Sequence, residues 1–197
     1  MNKYLEAQNH EREWWGNCAN TLGEELKQLV YAEKMGLTFQ EINGVPFVID
    51  LQGKKVLDIG GGPQSLLLKT INGNRAVFDP CDYPDWVAQR YAAAGIHYEK
   101  PKAEDIPDEV LDKSVDEIWI YNVLQHTDSP ETIVRKARRI AKTVRIFEWI
   151  NSEVNAMHPH SLTEEQLNEW LGGVGAVEQL NGINGCHGKC YYGVFYG

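Results

Sequence analysis

An apolar run that breaks directly into glycines constrains this chain more than any other feature: Val56-Leu57-Asp58-Ile59-Gly60-Gly61-Gly62-Pro63. Strand-forming residues lead into a turn without Cβ atoms, where backbone N–H groups can approach a ligand closely. The next apolar run ends in an acid, Phe78-Asp79-Pro80. An acid at the end of a neighbouring strand can accept both hydroxyls of a ribose. The pair predicts a site for an adenosine-containing ligand on an open α/β sheet.

The rest of the chain alternates in the same way, the pattern of a doubly wound, mostly parallel sheet. Strands are expected at 55–59, 75–78, 96–99, 115–122 and 143–149, and the consecutive apolar residues Ile118 to Tyr121 suit a strand buried on both faces. Helices are expected at 65–70, 85–94, 131–141 and from the capping box Thr163-Glu164-Glu165-Gln166 to Leu171. Two β-like runs, 176–180 and 189–196, close the chain as an antiparallel pair and complete a seven-stranded sheet. A glycine-rich stretch at 181–188 separates them. Before the sheet, residues 2–37 read as helical, with Leu22, Leu26, Leu29 and Val30 turned towards a core. One domain is expected over 1–197, with a helical N-terminal lid at 1–45 and the core at 54–197.

A net charge of -9 argues against a surface that neutralises phosphates, so nucleic acid is not an expected partner. The basic cluster Arg135, Lys136, Arg138 and Arg139 reads as a solvated helix face. No run approaches the roughly 18 apolar residues that cross a bilayer, and no leader pattern opens the chain. The expectation is a cytoplasmic protein with no membrane partner. Four scattered cysteines suggest reduced thiols. Cys186 and Cys190 with His187 form too thin a set for zinc, and no metal site is expected.

A nicotinamide or flavin fingerprint places a third glycine where this chain has Ser65, and Asp58 would repel a pyrophosphate while suiting an ammonium group. A ligand with an amino-acid end and no phosphate fits better. VLDIGGGP resembles the first motif of the class I S-adenosylmethionine-dependent methyltransferases. FDP at 78–80, AEDIP at 103–107 and NVLQH at 122–126 resemble that family's ribose, adenine and post-strand-four segments, in the same order. The resemblance implies S-adenosylmethionine as cofactor and S-adenosylhomocysteine as product. It assigns Asp58, Gly60 and Gly62 to the methionine end, Asp79 to the ribose hydroxyls and Pro80 to the adenine face. Lys102 stands where relatives carry an adenine-binding Asp, so Glu104 and the Ala103 backbone take that role. Asn122 lines the site, and the pair Trp14-Trp15 belongs to a helix that covers it, with Trp15 over the cofactor.

His126, His158 and His160 lie beyond the carboxyl ends of the fourth and fifth strands, the ligand edge of such sheets. They are the candidate bases for an alcohol or phenol, which makes oxygen the expected acceptor atom of a small molecule. Two rivals use the same turn: a nicotinamide-dependent oxidoreductase and a non-catalytic cofactor-binding module.

Overall fold

The computed structural model describes residues 3–16, 18–107 and 109–197. The start of the helical segment at Asn2 and the thiol of Cys18 lie outside what it describes. Two helices come first, α1 (Lys3–Trp15) and α2 (Cys18–Lys34), followed by a hairpin of β1 (Gln40–Ile42) and β2 (Val45–Asp50). The remaining order is β3 (Lys55–Ile59), β4 (Thr70–Ile71), β5 (Asn74–Phe78), α3 (Asp85–Ala93), β6 (His97–Glu99), β7 (Val115–Tyr121), α4 (Pro130–Ile140), β8 (Ala141–Trp149), α5 (Glu164–Leu171), β9 (Ala176–Ile183) and β10 (Cys186–Tyr196).

Seven strands form one sheet in the order β6-β5-β3-β7-β8-β10-β9. The first five are parallel neighbours, and β10 runs antiparallel between β8 and β9. The strand order reverses at β3 and β7, so their carboxyl ends part and leave a crevice. One face is covered by α2 and α3, through Val30, Tyr31, Met35, Val87 and Tyr91. The other is covered by α4 and α5, through Ile133, Val134, Ala137, Leu167 and Leu171. Burial of each such side chain contributes about 1.5–3 kcal/mol.

The structure departs from the sequence reading in four places. The helix expected at 65–70 is instead a pair of short 3-10 turns, Gly62–Gln64 and Leu66–Lys69, and β4 and β5 follow at once. Helix α2 packs against the first of these turns and on the sheet face beside it. Leu22 and Leu26 do not reach the core; they are 60% and 44% exposed along a groove beside β2. The stretch 181–188 is no loop but a hairpin: Asn184 and Gly185 both take positive φ, at 50° and 80°, and Ile183 pairs with Cys186. That is the turn geometry an Asn-Gly pair favours, and Asn43-Gly44 repeats it between β1 and β2.

The basic face of α4 is also not simply solvated. Lys136 Nζ donates to the carbonyls of Glu104 and Ile106, and Arg139 to that of Val110, so the helix holds the segment after β6 in place. Arg135 bonds Glu131 and Glu169. Among the described residues, no helix is long and apolar enough to cross a membrane.

Candidate active site

The glycine turn ends β3 in the crevice, and buried side chains hold it from below. Asp58 Oδ2 accepts from Ser65 Oγ at 2.5 Å and from the Tyr121 hydroxyl at 2.6 Å. Tyr121 in turn accepts from Leu66 N–H, and Ser65 Oγ from Leu67 N–H. Strand pleating explains the placement: Asp58 shares its face with Val56, across from Val77 and Trp119, and points under the 3-10 turns. Asp58 is fully buried and forms no part of the cavity wall. Asp58 thus shapes the glycine turn from below, and its other oxygen, Oδ1, is buried without a hydrogen-bond partner among the described residues. Burial raises its carboxyl to about 7 against the hydrogen bonds from Ser65 and Tyr121.

Gly60 has φ +71°, and a Cβ there would lie 2.0 Å from a methyl of Val123. Gly62 has φ +56°, and its missing Cβ leaves room for the Trp15 ring at 3.4 Å. Asp79 closes the other side of the turn, accepting from Gly62 N–H at 2.8 Å and from Cys81 N–H at 2.9 Å. Its carboxyl is pushed up to about 6 by burial, which outweighs those two bonds.

The resulting cavity is walled by Trp15, Gly60, Gly62, Asp79, Pro80, Ala103, Glu104 and Asn122, among others. Glu104 keeps one oxygen occupied, since Oε1 accepts from the N–H groups of Asp128 and Ser129. Lys102 turns away to Asp128 Oδ2 at 2.6 Å and over the Tyr4 ring at 3.8 Å. Asn122 holds φ +54° and accepts from Gln125 Nε2 at 3.0 Å.

Helix α1 supplies a wall of which the sequence reading had named only Trp15. Tyr4, Gln8, Glu11 and Trp15 follow one another at helical spacing and all face the cavity. Trp15 Nε1 donates to Glu11 Oε2 at 3.2 Å. Burial raises Glu11 to about 7, only partly opposed by that bond. From α2 comes Glu24, 7% exposed, bonded to Lys27 Nζ at 2.5 Å. The signal for these residues was the polar and aromatic stripe on a helix that lacks an apolar one.

A second recess shares Glu11, Trp15, Glu24, Asn122 and His126 with the wall of this cavity. His126 stands on the boundary. Its Nδ1–H donates to the Met157 carbonyl at 2.7 Å, with Glu11 Oε1 3.4 Å away, so Nε2 keeps its lone pair. Burial depresses His126 to about 4, more than the Met157 bond restores. The His158 ring lies with its centroid 4.8 Å from that of His126, tilted by 59°, and lines the recess, and burial lowers it to about 4 as well. His160 lies on neither wall; its N–H reaches the Gln125 carbonyl. The geometry therefore brings two of the three candidate histidines together and leaves out the third. Glu148, fully buried beneath, accepts from the N–H groups of Val123 and Leu124 and holds the turn that carries His126. Burial raises Glu148 to about 8.

Two features disfavour a pyrophosphate. The N–H groups of Gly60, Gly62, Ser65, Leu66 and Leu67 all donate to protein acceptors. Among the described residues, the cavity wall holds Glu11, Glu24, Asp79 and Glu104 but no lysine or arginine.

Residues 57–144 match the family model described as a methyltransferase domain. That stretch, a little under half of the chain, is similar to a methyltransferase domain, and the sheet around it has the fold of the methyltransferases that follow. Magnesium protoporphyrin IX methyltransferase from Synechocystis PCC 6803, solved with bound S-adenosylmethionine, is similar over 100% of this chain and 98% of its own, at 10% identity and a TM-score of 0.64. An S-adenosylmethionine-dependent methyltransferase from Aquifex aeolicus is 17% identical, with 86% of this chain and 89% of that one covered and a TM-score of 0.52. The [4+2]-cyclase SpnF is 16% identical over 75% of this chain, with a TM-score of 0.55; the match spans 55% of the cyclase. At such identities the likeness is one of fold. No curated protein matches by sequence. Within the matched residues the turn, Asp79 and the 122–126 segment occupy the crevice where the sheet order reverses.

Proposed function

We propose that the protein transfers a methyl group from S-adenosylmethionine to a small acceptor. One observation carries this reading: among the described residues, four acidic side chains and no lysine or arginine line the cavity at the glycine turn. A ligand bearing sulfonium and ammonium charges is matched by such a wall, whereas a nicotinamide dinucleotide brings two phosphates to it. The SpnF cyclase fold shows why topology alone is insufficient.

In this reading the backbone of Gly60 to Gly62 holds the methionine end and the Asp79 carboxylate takes the ribose hydroxyls. Pro80, Ala103 and Glu104 meet the adenine, with Trp15 closing over the turn. The bound cofactor supplies an activated methyl group on a cationic sulfur. The protein's own contribution is to align the acceptor, exclude water and receive a proton. Positioning by itself is worth effective molarities of ~10^5–10^8 M. His126 Nε2 and Glu11, both on the boundary of the two cavities, are the groups placed to accept that proton. The protein is read as one domain acting on a small molecule, without a nucleic-acid partner.

Isothermal titration of the full chain with S-adenosylhomocysteine and, separately, with NADH tests the proposal. Micromolar binding of the first and no heat from the second is expected. Binding of NADH alone overturns it. Cofactor binding without any labelled methyl transferred to a metabolite pool supports the non-catalytic alternative.

A further inference from the structure

The second recess, on the reading that the adjoining cavity holds S-adenosylmethionine, is where an acceptor sits, and its own chemistry restricts what that acceptor is. Trp14, Trp15 and Trp149 give it aromatic walls, and Glu11, Glu24 and Glu153 give it acids. It has one lysine and no arginine among the described residues, and that lysine, Lys27, is bound to Glu24 at 2.5 Å. Two further residues on its wall carry acceptor atoms that the fold leaves wholly or largely unused. Gln125, only 3% exposed, leaves Oε1 without a hydrogen-bond partner. His126 has Nδ1 committed to the Met157 carbonyl, and its Nε2 has only a 3.4 Å approach from Gln125 Nε2, which itself donates to Asn122 Oδ1.

We propose that this recess binds an ammonium-bearing ring compound and that the methyl acceptor is its nitrogen. A recess rich in acceptors and acids is completed by a ligand that brings several N–H donors and a positive charge. Tryptophan faces hold a cation and a flat ring equally well. A carboxylate or phosphate acceptor would meet like charge without a free cation to answer it. A phenolate would likewise build negative charge among carboxylates, so nitrogen displaces the oxygen expected from the histidines alone.

The charge balance of the step suits the same wall. The ammonium first gives a proton to a carboxylate, Glu11 being the one that lines both cavities. The freed lone pair forms the N–C bond as the C–S bond breaks, the bonding pair leaves with sulfur, and nitrogen becomes the cation. Positive charge thus passes from one side of the acidic boundary to the other without leaving it.

The test is titration calorimetry on the full chain saturated with S-adenosylhomocysteine, whose own binding is measured first. Three probes share one ring and spacer: tryptamine, tryptophol and indole-3-propionate. Tryptamine should bind at least tenfold more tightly than either other probe. Glu153→Gln, an exposed position, should weaken tryptamine three- to tenfold and leave tryptophol unchanged. Equal binding, no binding of any probe, or a preference for indole-3-propionate overturns the acceptor class while the cofactor reading stands. Failure of S-adenosylhomocysteine to bind overturns the cofactor reading instead.

Discussion

Asp79 shows how one carboxylate can serve structure and ligand together. Its two oxygens accept the N–H groups of Gly62 and Cys81, so the acid is positioned before any ribose arrives. Asp79→Asn turns one of those acceptors into a donor facing a donor, at a cost of about 1–3 kcal/mol. S-adenosylhomocysteine affinity should fall at least tenfold and the melting temperature should drop; unchanged affinity by calorimetry contradicts the ribose role. The glycines differ from one another in the same measurable way. Gly60→Ala drives a Cβ into Val123, whereas Gly62→Ala meets only the Trp15 ring at van der Waals distance. Both pay about 1–2 kcal/mol for the left-handed backbone, so thermal melts should show Gly60→Ala as clearly the less stable variant.

At the scale of elements, the turn at 122–126 depends on a group from the neighbouring strand. Glu148 on β8 holds the N–H groups of Val123 and Leu124 through one oxygen, and its other oxygen has no partner. Its carboxyl, ordinarily near 4.5, is raised to about 8 by burial. Below 4.5 the folded and unfolded states are both protonated there; between 4.5 and 8 only the unfolded state ionises, so the wild type loses stability as pH rises. Glu148→Gln keeps the acceptor and cannot ionise. Its stability relative to wild type should rise across that window and level off above pH 8, as read by urea unfolding at several pH values. Glu148→Ala should follow the same pH trend but stay about 1–3 kcal/mol less stable than Glu148→Gln throughout, because the N–H groups of Val123 and Leu124 lose their acceptor. The hairpin turns show a different kind of legibility. Asn43-Gly44 and Asn184-Gly185 are strong local signals, yet a count of glycines over 181–188 reads as a loop; the paired φ values make it a two-residue turn.

For the molecule as a whole, acids around the site outnumber the cations that answer them. Asp58, Asp79, Glu11 and Glu148 all have raised carboxyls, each chiefly through burial. Each destabilises the free fold as pH rises from its ordinary value towards the raised one. Glu117 acts in the opposite sense. Burial works to raise it, but bonds from Arg145, Lys54 and Trp119 together hold it down to about 2, so its contribution is lost only in strong acid. The ligand-free protein should therefore melt highest near pH 5 and progressively lower towards pH 8. Saturating S-adenosylmethionine, a cation, should shrink that decline more than S-adenosylhomocysteine does; equal slopes by differential scanning fluorimetry contradict a cation-binding cavity.

The motifs that were readable in one dimension are those whose physics is local. A strand breaking into Gly60-Gly61-Gly62, an acid ending the next strand and the capping box at Thr163, whose two reciprocal bonds are present, each need only a few neighbouring residues. They establish the sheet, its crevice and the adenosine end of the ligand. The burial of Asp58 beneath the turn, the approach of Glu11 to His126 and the absence of His160 from both walls depend on strand pleat and on how α1 and α2 lie across the sheet, which no local spacing encodes. For the same reason the opening glycine run points to a methyl donor, while the chemistry proposed for the acceptor rests on a recess where two helices, the end of β8 and the loop after it bring tryptophans and carboxylates together.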